Sequence, residues 1–251
     1  MIKIKRSDKP KELTDEIQNK LTRKFKQDKK EVWRKKYITD ALFKMSNGKC
    51  CYCETTLGEE GKALNVEHYH HKDKYPDEVV KWDNLLPSCS RCNSNKGTHD
   101  TVLEPIIDPT VDDPKDFLYF KNYRYKSIDR NEKGLNTIHV LYLNDTNGLV
   151  KVRFNVCNAL CDKLLDIEEL LQEYIQGTSN STRRKNRIVN GIKDILICAQ
   201  PTKEYSSIIA STIVNDDSYK YIKQELDGLG LWGYELKELE DGAKKIMLDM
   251  K

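Results

Sequence analysis

Four of the eight cysteines in this 251-residue chain fall into two pairs of identical spacing, Cys50-x2-Cys53 and Cys89-x2-Cys92, with 35 residues between the pairs. Two such turns can bring four thiolates around one ion at sulfur–metal distances of about 2.3 Å, leaving no coordination position open. A closed site of that kind, most simply a Zn²⁺ site, clamps two distant turns together and stabilises the fold without reacting. Cys51, Cys157, Cys161 and Cys198 lie outside the frame. Cys157 and Cys161 share a helix face but lack a second pair, so they read as buried apolar residues.

The pairs enclose "NVEHYHHK" and "WDNLLPSC", and the second pair continues as "CNSNKG". Three of the five histidines, His68, His70 and His71, therefore stand within four positions, and only His68 directly follows an acid, Glu67. Imidazole titrates near neutrality and can take a proton from water at physiological pH. His99 and His139 have no partners in sequence and read as surface or core residues.

The order Cys-x2-Cys, Glu-His, Asn-Leu-Leu, Cys-x2-Cys-Asn-x2-Lys, from about Lys49 to Gly97, resembles the HNH nuclease family. That resemblance implies a ββα-metal core, a hairpin and a helix around one divalent ion, braced here by the four cysteines. Glu67 then stands at the end of the first strand as a metal ligand beside His68, the general base. Asn84 corresponds to the middle family asparagine, suited to holding the His68 ring or its loop. Asn93 takes the place of the usual final histidine, giving an H-N-N pattern, and would join Glu67 on the ion. A carboxylate and an amide oxygen are hard ligands, which suits Mg²⁺ or Mn²⁺. Lys96, one turn beyond Asn93, is placed to contact the cleaved phosphate. Of His70 and His71, one is expected to pack and the other to meet backbone phosphates; His71 and Lys72 are taken as nucleic-acid contacts with Lys96. Glu67 replaces the commoner Asp, and the amide at 93 lowers the ligand charge.

Beyond the core, "GKCCYCE", "EHYHHK", "EPIIDPTVDDP" and "NTIHVLYLN" resemble the PtuB subfamily, the nuclease subunits of Septu anti-phage defence systems. This chain reads "YHH" where that subfamily commonly has Phe-Arg-Pro. The kinship implies an ABC-type ATPase partner, PtuA. The competing reading is a non-catalytic zinc-ribbon subunit that binds nucleic acid, DNA or RNA, for an ATPase complex.

The elements that must position these groups can also be read. Residues 1–36 hold fourteen Lys or Arg against six Asp or Glu, a net +8 in a chain of net +3. Such a run suits either a polyanion contact or a solvated helix surface. Leu13, Ile17, Leu21 and Phe25 recur every four residues, and "EVWRKKYITDALFKM" continues the pattern, so 10–45 reads as helical with a glycine stop in "NGK". "EPIIDPTVDDP" marks a linker or a wrapping loop. Residues 117–128 alternate like a strand or hairpin. From about 137 the chain reads as mainly helical, with Leu160, Leu164, Ile167, Leu171 and Ile175 on one face, Gly177 as a stop, and "GTSNSTRRKN" as a loop before a further helix.

The expected class is α+β: a basic helical arm at 1–45, a ββα-metal core at 46–105, and a mainly helical region at 106–251 with a short hairpin and room for partner docking. No apolar run reaches the roughly 20 residues needed to span a bilayer, and the opening "MIKIKRSDKPKEL" lacks the apolar stretch of a secretory signal. A cytoplasmic, reducing location is expected, where metal binding outweighs disulfides.

Overall fold

The computed structural model describes residues 1–59 and 62–251. It forms two compact units, Met1–Leu118 with Lys126–Asn144, and Tyr119–Tyr125 with Asp145–Lys251. The class is α+β, mainly helical, with two small two-stranded sheets.

In the first unit, α1 (Asp15–Asp28) begins where the Thr14 hydroxyl accepts a hydrogen bond from the Ile17 amide, and ends at Lys29, a left-handed residue with φ 54°. α2 (Lys36–Met45) follows. The single helical stretch expected over 10–45 is therefore broken at 29–35. The physical reason is local: Val32 and Trp33 are neighbours and both are buried, whereas successive helical side chains point about 100° apart. Leaving the helix lets both enter the core. There they join Leu13, Leu21, Phe25, Ile38 and Leu42, packed with Val66, Val79, Trp82 and Leu85. Each such side chain contributes about 1.5–3 kcal/mol when fully buried. The N-terminal region is thus fastened to the strands that follow it, with its lysines and other polar residues left outside.

Those strands are β1 (Leu64–His68) and β2 (Leu85–Cys89), antiparallel, with Leu64 opposite Cys89 and His68 opposite Leu85. α3 (Ser90–Lys96) follows β2 directly and ends at Gly97, whose φ of 50° suits glycine. The result is a strand–strand–helix unit. Arg91 donates to the Tyr142 carbonyl (3.0 Å) and Asn95 to that of Leu141 (3.2 Å), tying α3 to the chain beyond. The proline-rich segment is a wrapping loop: Ile106 and Ile107 are buried, Ile4 donates to the Pro109 carbonyl (2.8 Å), and Arg6 bonds Thr110 and the carbonyls of Trp82 and Leu85.

β3 (Leu118–Lys121) and β4 (Arg124–Ser127) form the hairpin that the alternation over 117–128 predicts, turning through Asn122 and Tyr123, both with positive φ. α4 (Glu132–Val140) starts five residues before the expected 137, because the Asn131 side chain caps it by accepting from Gly134 N at 3.2 Å.

The second unit contains α5 (Lys151–Ile175), α6 (Thr182–Cys198), α7 (Ser206–Asn215), α8 (Asp217–Gly228) and α9 (Tyr234–Ile246). Leu160, Leu164, Ile167 and Leu171 are buried along α5 as their spacing predicts, but Ile175 is exposed. "TRRKN" is helical where a loop was expected, because Ser181 caps α6 by accepting from the Arg184 amide at 3.2 Å. Among the described residues, no helix is long and apolar enough to cross a membrane.

Candidate active site

The sulfur atoms of Cys50, Cys53, Cys89 and Cys92 all lie within 4.8 Å of one another, and all four residues are buried. The turn over 50–54 folds back through Glu54, which has φ 64° and whose amide donates to the Cys50 carbonyl at 3.0 Å. Cys89 caps α3, its sulfur accepting from the Cys92 amide at 3.4 Å. Hydrogen bonds from the neighbouring cysteines, Cys50 first, hold the thiols of Cys53 and Cys92 well above their ordinary range, and a bound cation would offset the repulsion among four thiolates this close. The donor set is that of a closed tetrahedral metal site. Beneath it, the Met1 ammonium lies 2.5 Å from Glu54 and the Lys49 ammonium 3.5 Å away, all three buried.

At the other end of the hairpin a cavity of about 300 Å³ is lined by Glu67, His68, His71, Lys72, Asp73, Asn93 and Lys96, among others. Consecutive strand residues normally face opposite sides. His68 is the last residue of β1, so both it and Glu67 can line one cavity. Nε2 of His68 lies 2.9 Å from the Val79 carbonyl. A carbonyl only accepts, so Nε2 carries the proton and Nδ1 is left as the acceptor. Burial pushes this imidazole down to about 3, with the Lys72 and Lys96 cations adding to the shift and the Val79 carbonyl opposing it. His68 is therefore neutral across the physiological range, a weaker base than its free value near neutrality suggests.

Glu67 is buried, and one of its oxygens, Oε1, lies 2.6 Å from the Lys96 ammonium in an ion-pair contact without hydrogen-bond alignment. Burial pushes its carboxyl up to about 7 against the pull of Lys96. Lys96 is buried too, and it donates to the His68 carbonyl at 2.7 Å. Expected as a phosphate contact, it lines the cavity, ties the helix end to the strand end and engages the acid. The Asn93 side chain, one residue past Cys92, has no hydrogen-bond partner among the described residues and lines the cavity. A buried carboxylate paired with an ammonium and an amide without a hydrogen-bond partner, facing one cavity, are hard oxygen donors that fit a divalent cation.

Asn84 does not line this cavity. Its Oδ1 accepts from the His70 amide (2.6 Å) and its Nδ2 donates to the carbonyls of His70 and Glu78 (both 3.1 Å). Of the two tasks expected for it, holding the ring or holding the loop, it performs the second. The two later histidines separate. His70 lies between Tyr69 and Tyr75 with Nδ1 2.6 Å from Glu78, while His71 lines the cavity with Nε2 3.7 Å from Asp73. His99 bonds the Glu104 carbonyl and His139 is exposed, and neither lines the cavity.

Three participants escape sequence reasoning. Trp33 meets the His68 ring edge-on, with centroids 4.6 Å apart. Val79 acts through its backbone, which carries no side-chain signal. Asp73 looks like one more surface acid.

No family model matches the chain. It is 41% identical over 248 residues to the Septu protein PtuB of Bacillus thuringiensis, across 99% of this chain and 95% of that protein. It is 28% identical over 122 residues to the Septu protein PtuB of Bacillus mycoides (strain KBAB4), across 37% of this chain and 41% of that one.

Proposed function

The chain belongs to the Septu PtuB family, and we propose that it is the nuclease effector of a cytoplasmic anti-phage defence complex, an HNH endonuclease hydrolysing phosphodiester bonds, with DNA as substrate. The observation that carries this reading is the convergence of Glu67, His68 and Asn93 on one cavity at the end of a strand–strand–helix unit. A non-catalytic binding module has no need of a neutral imidazole pinned at Nε2 beside a buried acid.

Glu67 and Asn93 would hold Mg²⁺ or Mn²⁺, which would supply charge stabilisation at the scissile phosphate and a more acidic water. The chain's own groups do the rest. The Val79 carbonyl fixes the tautomer of His68, so that Nδ1 takes the proton of the attacking water. Lys96 holds the Glu67 carboxylate and the strand end in place. Lys72 and His71 face the incoming phosphate backbone from the same cavity wall. Zn²⁺ held by the cysteine cluster would clamp the 50–53 turn to the junction of β2 and α3. An ABC-type ATPase, PtuA, is the partner that would restrain or direct the cut.

Plasmid nicking or cutting with Mg²⁺ or Mn²⁺ tests the proposal. Loss of cleavage in His68→Ala and in Asn93→Ala is expected; activity that survives both substitutions removes the reading.

A further inference from the structure

One hydrogen bond does not fix a ring. The contact from His68 Nε2 to the Val79 carbonyl leaves the imidazole free to swing about the N–H···O direction, and the plane of a general base decides where its free nitrogen points. Trp33 supplies the missing constraint. Its ring lies 4.6 Å from that of His68 at 85°, the edge-to-face arrangement that aromatic pairs prefer. Trp33 is itself held: Phe25 meets it edge-on at 5.8 Å, and it is buried in the core of the first unit. The ammonium of Lys72, a cavity-lining residue, lies over the Trp33 ring at 5.6 Å.

We infer that Trp33 is a positioning residue of the candidate active site, setting the plane of the His68 imidazole and seating Lys72 at the cavity wall. Core filling alone would be served by leucine. It gives no reason for a perpendicular contact with the one histidine that follows the buried acid, nor for a lysine stacked on the same indole. The break between α1 and α2 acquires a purpose: it carries Trp33 off the helix path and onto His68. The catalytic consequence rests on the nuclease reading; the geometric claim does not.

The test has two arms. In the first, histidine ¹⁵N–¹H spectra of the wild-type protein should show a single Nε2-protonated tautomer for His68 and a nuclear Overhauser contact between the two rings. Trp33→Leu should broaden or split the His68 ring signals as the ring samples more than one plane, losing that single sharp signature, while Trp33→Phe keeps it. In the second, Trp33→Leu should lower kcat for metal-dependent cleavage ~10–100-fold, with Trp33→Phe within ~3-fold of wild type. Leu21→Ala, which removes apolar mass from the same core, should lower Tm but leave kcat unchanged. Absence of the ring–ring contact in the wild type overturns the inference even if Trp33→Leu does not fold. An unchanged His68 signature with unchanged kcat in folded Trp33→Leu also overturns it. A protein that cleaves nothing, yet loses the signature in Trp33→Leu, keeps the positioning role and sinks only the nuclease reading.

Discussion

The cysteine cluster and the Glu67–His68–Asn93 cavity are built on the same hairpin and helix, yet they obey opposite rules. In the cluster four like donors crowd within 4.8 Å, all buried, with nothing left for a substrate to meet. In the cavity the donors are of three kinds, and each keeps an atom without a hydrogen-bond partner. Cys92 and Asn93 are adjacent on α3, and one residue of helix rotation separates a closed site from an open one. A closed site gains from being saturated, because its contribution is rigidity. An open site holds unmet hydrogen-bonding capacity that only a ligand can fill, and it relies on the closed one to keep its walls in place.

The sharpest way to break this contrast is Cys89→Ser. Structural zinc can contribute on the order of 10 kcal/mol, comparable to the whole stability of a domain. Zinc content should fall and the first unit should lose its cooperative thermal transition, whereas Cys51→Ser, outside the cluster, should retain full stoichiometry by metal analysis. Next in size is Glu54→Ala, which removes the buried carboxylate that the Met1 and Lys49 ammonium groups both face. Removing one partner of a buried pair costs about 3–5 kcal/mol, read as a lower denaturant midpoint. Zinc should remain bound at saturating metal, which would separate support of the turn from ligation.

The two regions also differ in how far the sequence discloses them. The cluster is legible because its ligands announce themselves by type and spacing. Glu67, His68 and Asn93 are legible because they are local to that frame. Trp33 is not, since it sits thirty-five positions before His68 in a run whose periodicity reads as one amphipathic helix. The break that delivers it depends on a left-handed Lys29 and on the core's demand for two adjacent apolar side chains. Nor could residue types tell His70 from His71; the direction each ring takes is set by Asn84 pinning the loop backbone. Lys96 reads as a phosphate contact from its place in the motif, and only the folded structure shows it engaged with Glu67.

That loop offers a smaller test. Asn84→Ala removes three hydrogen bonds and leaves the His70 amide and the carbonyls of His70 and Glu78 short of partners, at about 3 kcal/mol in total. Because Asn84 touches the loop and not the cavity, stability should fall while the cluster keeps its zinc. Faster amide exchange should appear over residues 70–79, with 50–54 unchanged; equal loosening of both regions would contradict the cluster's independence of this loop.

The smallest effect separates the two regions by pH. His68 has its folded value depressed by burial to about 3, against an ordinary 6.5. Between those limits the unfolded chain binds a proton that the folded protein refuses, so stability falls as pH drops from 6.5 toward 3. At pH 5 the contribution is about 2 kcal/mol, from roughly 1.5 units at 1.36 kcal/mol each. Glu67 acts the other way: raised to about 7, it takes up its proton in the folded state and favours folding on acidification. Comparing His68→Asn with the wild type cancels the Glu67 contribution. Denaturant unfolding at pH 7 and pH 5, with zinc present and no added Mg²⁺, should show the smaller acid loss in the variant. Equal losses would mean that the imidazole is open to water, and that the open site is less sheltered than its walls imply.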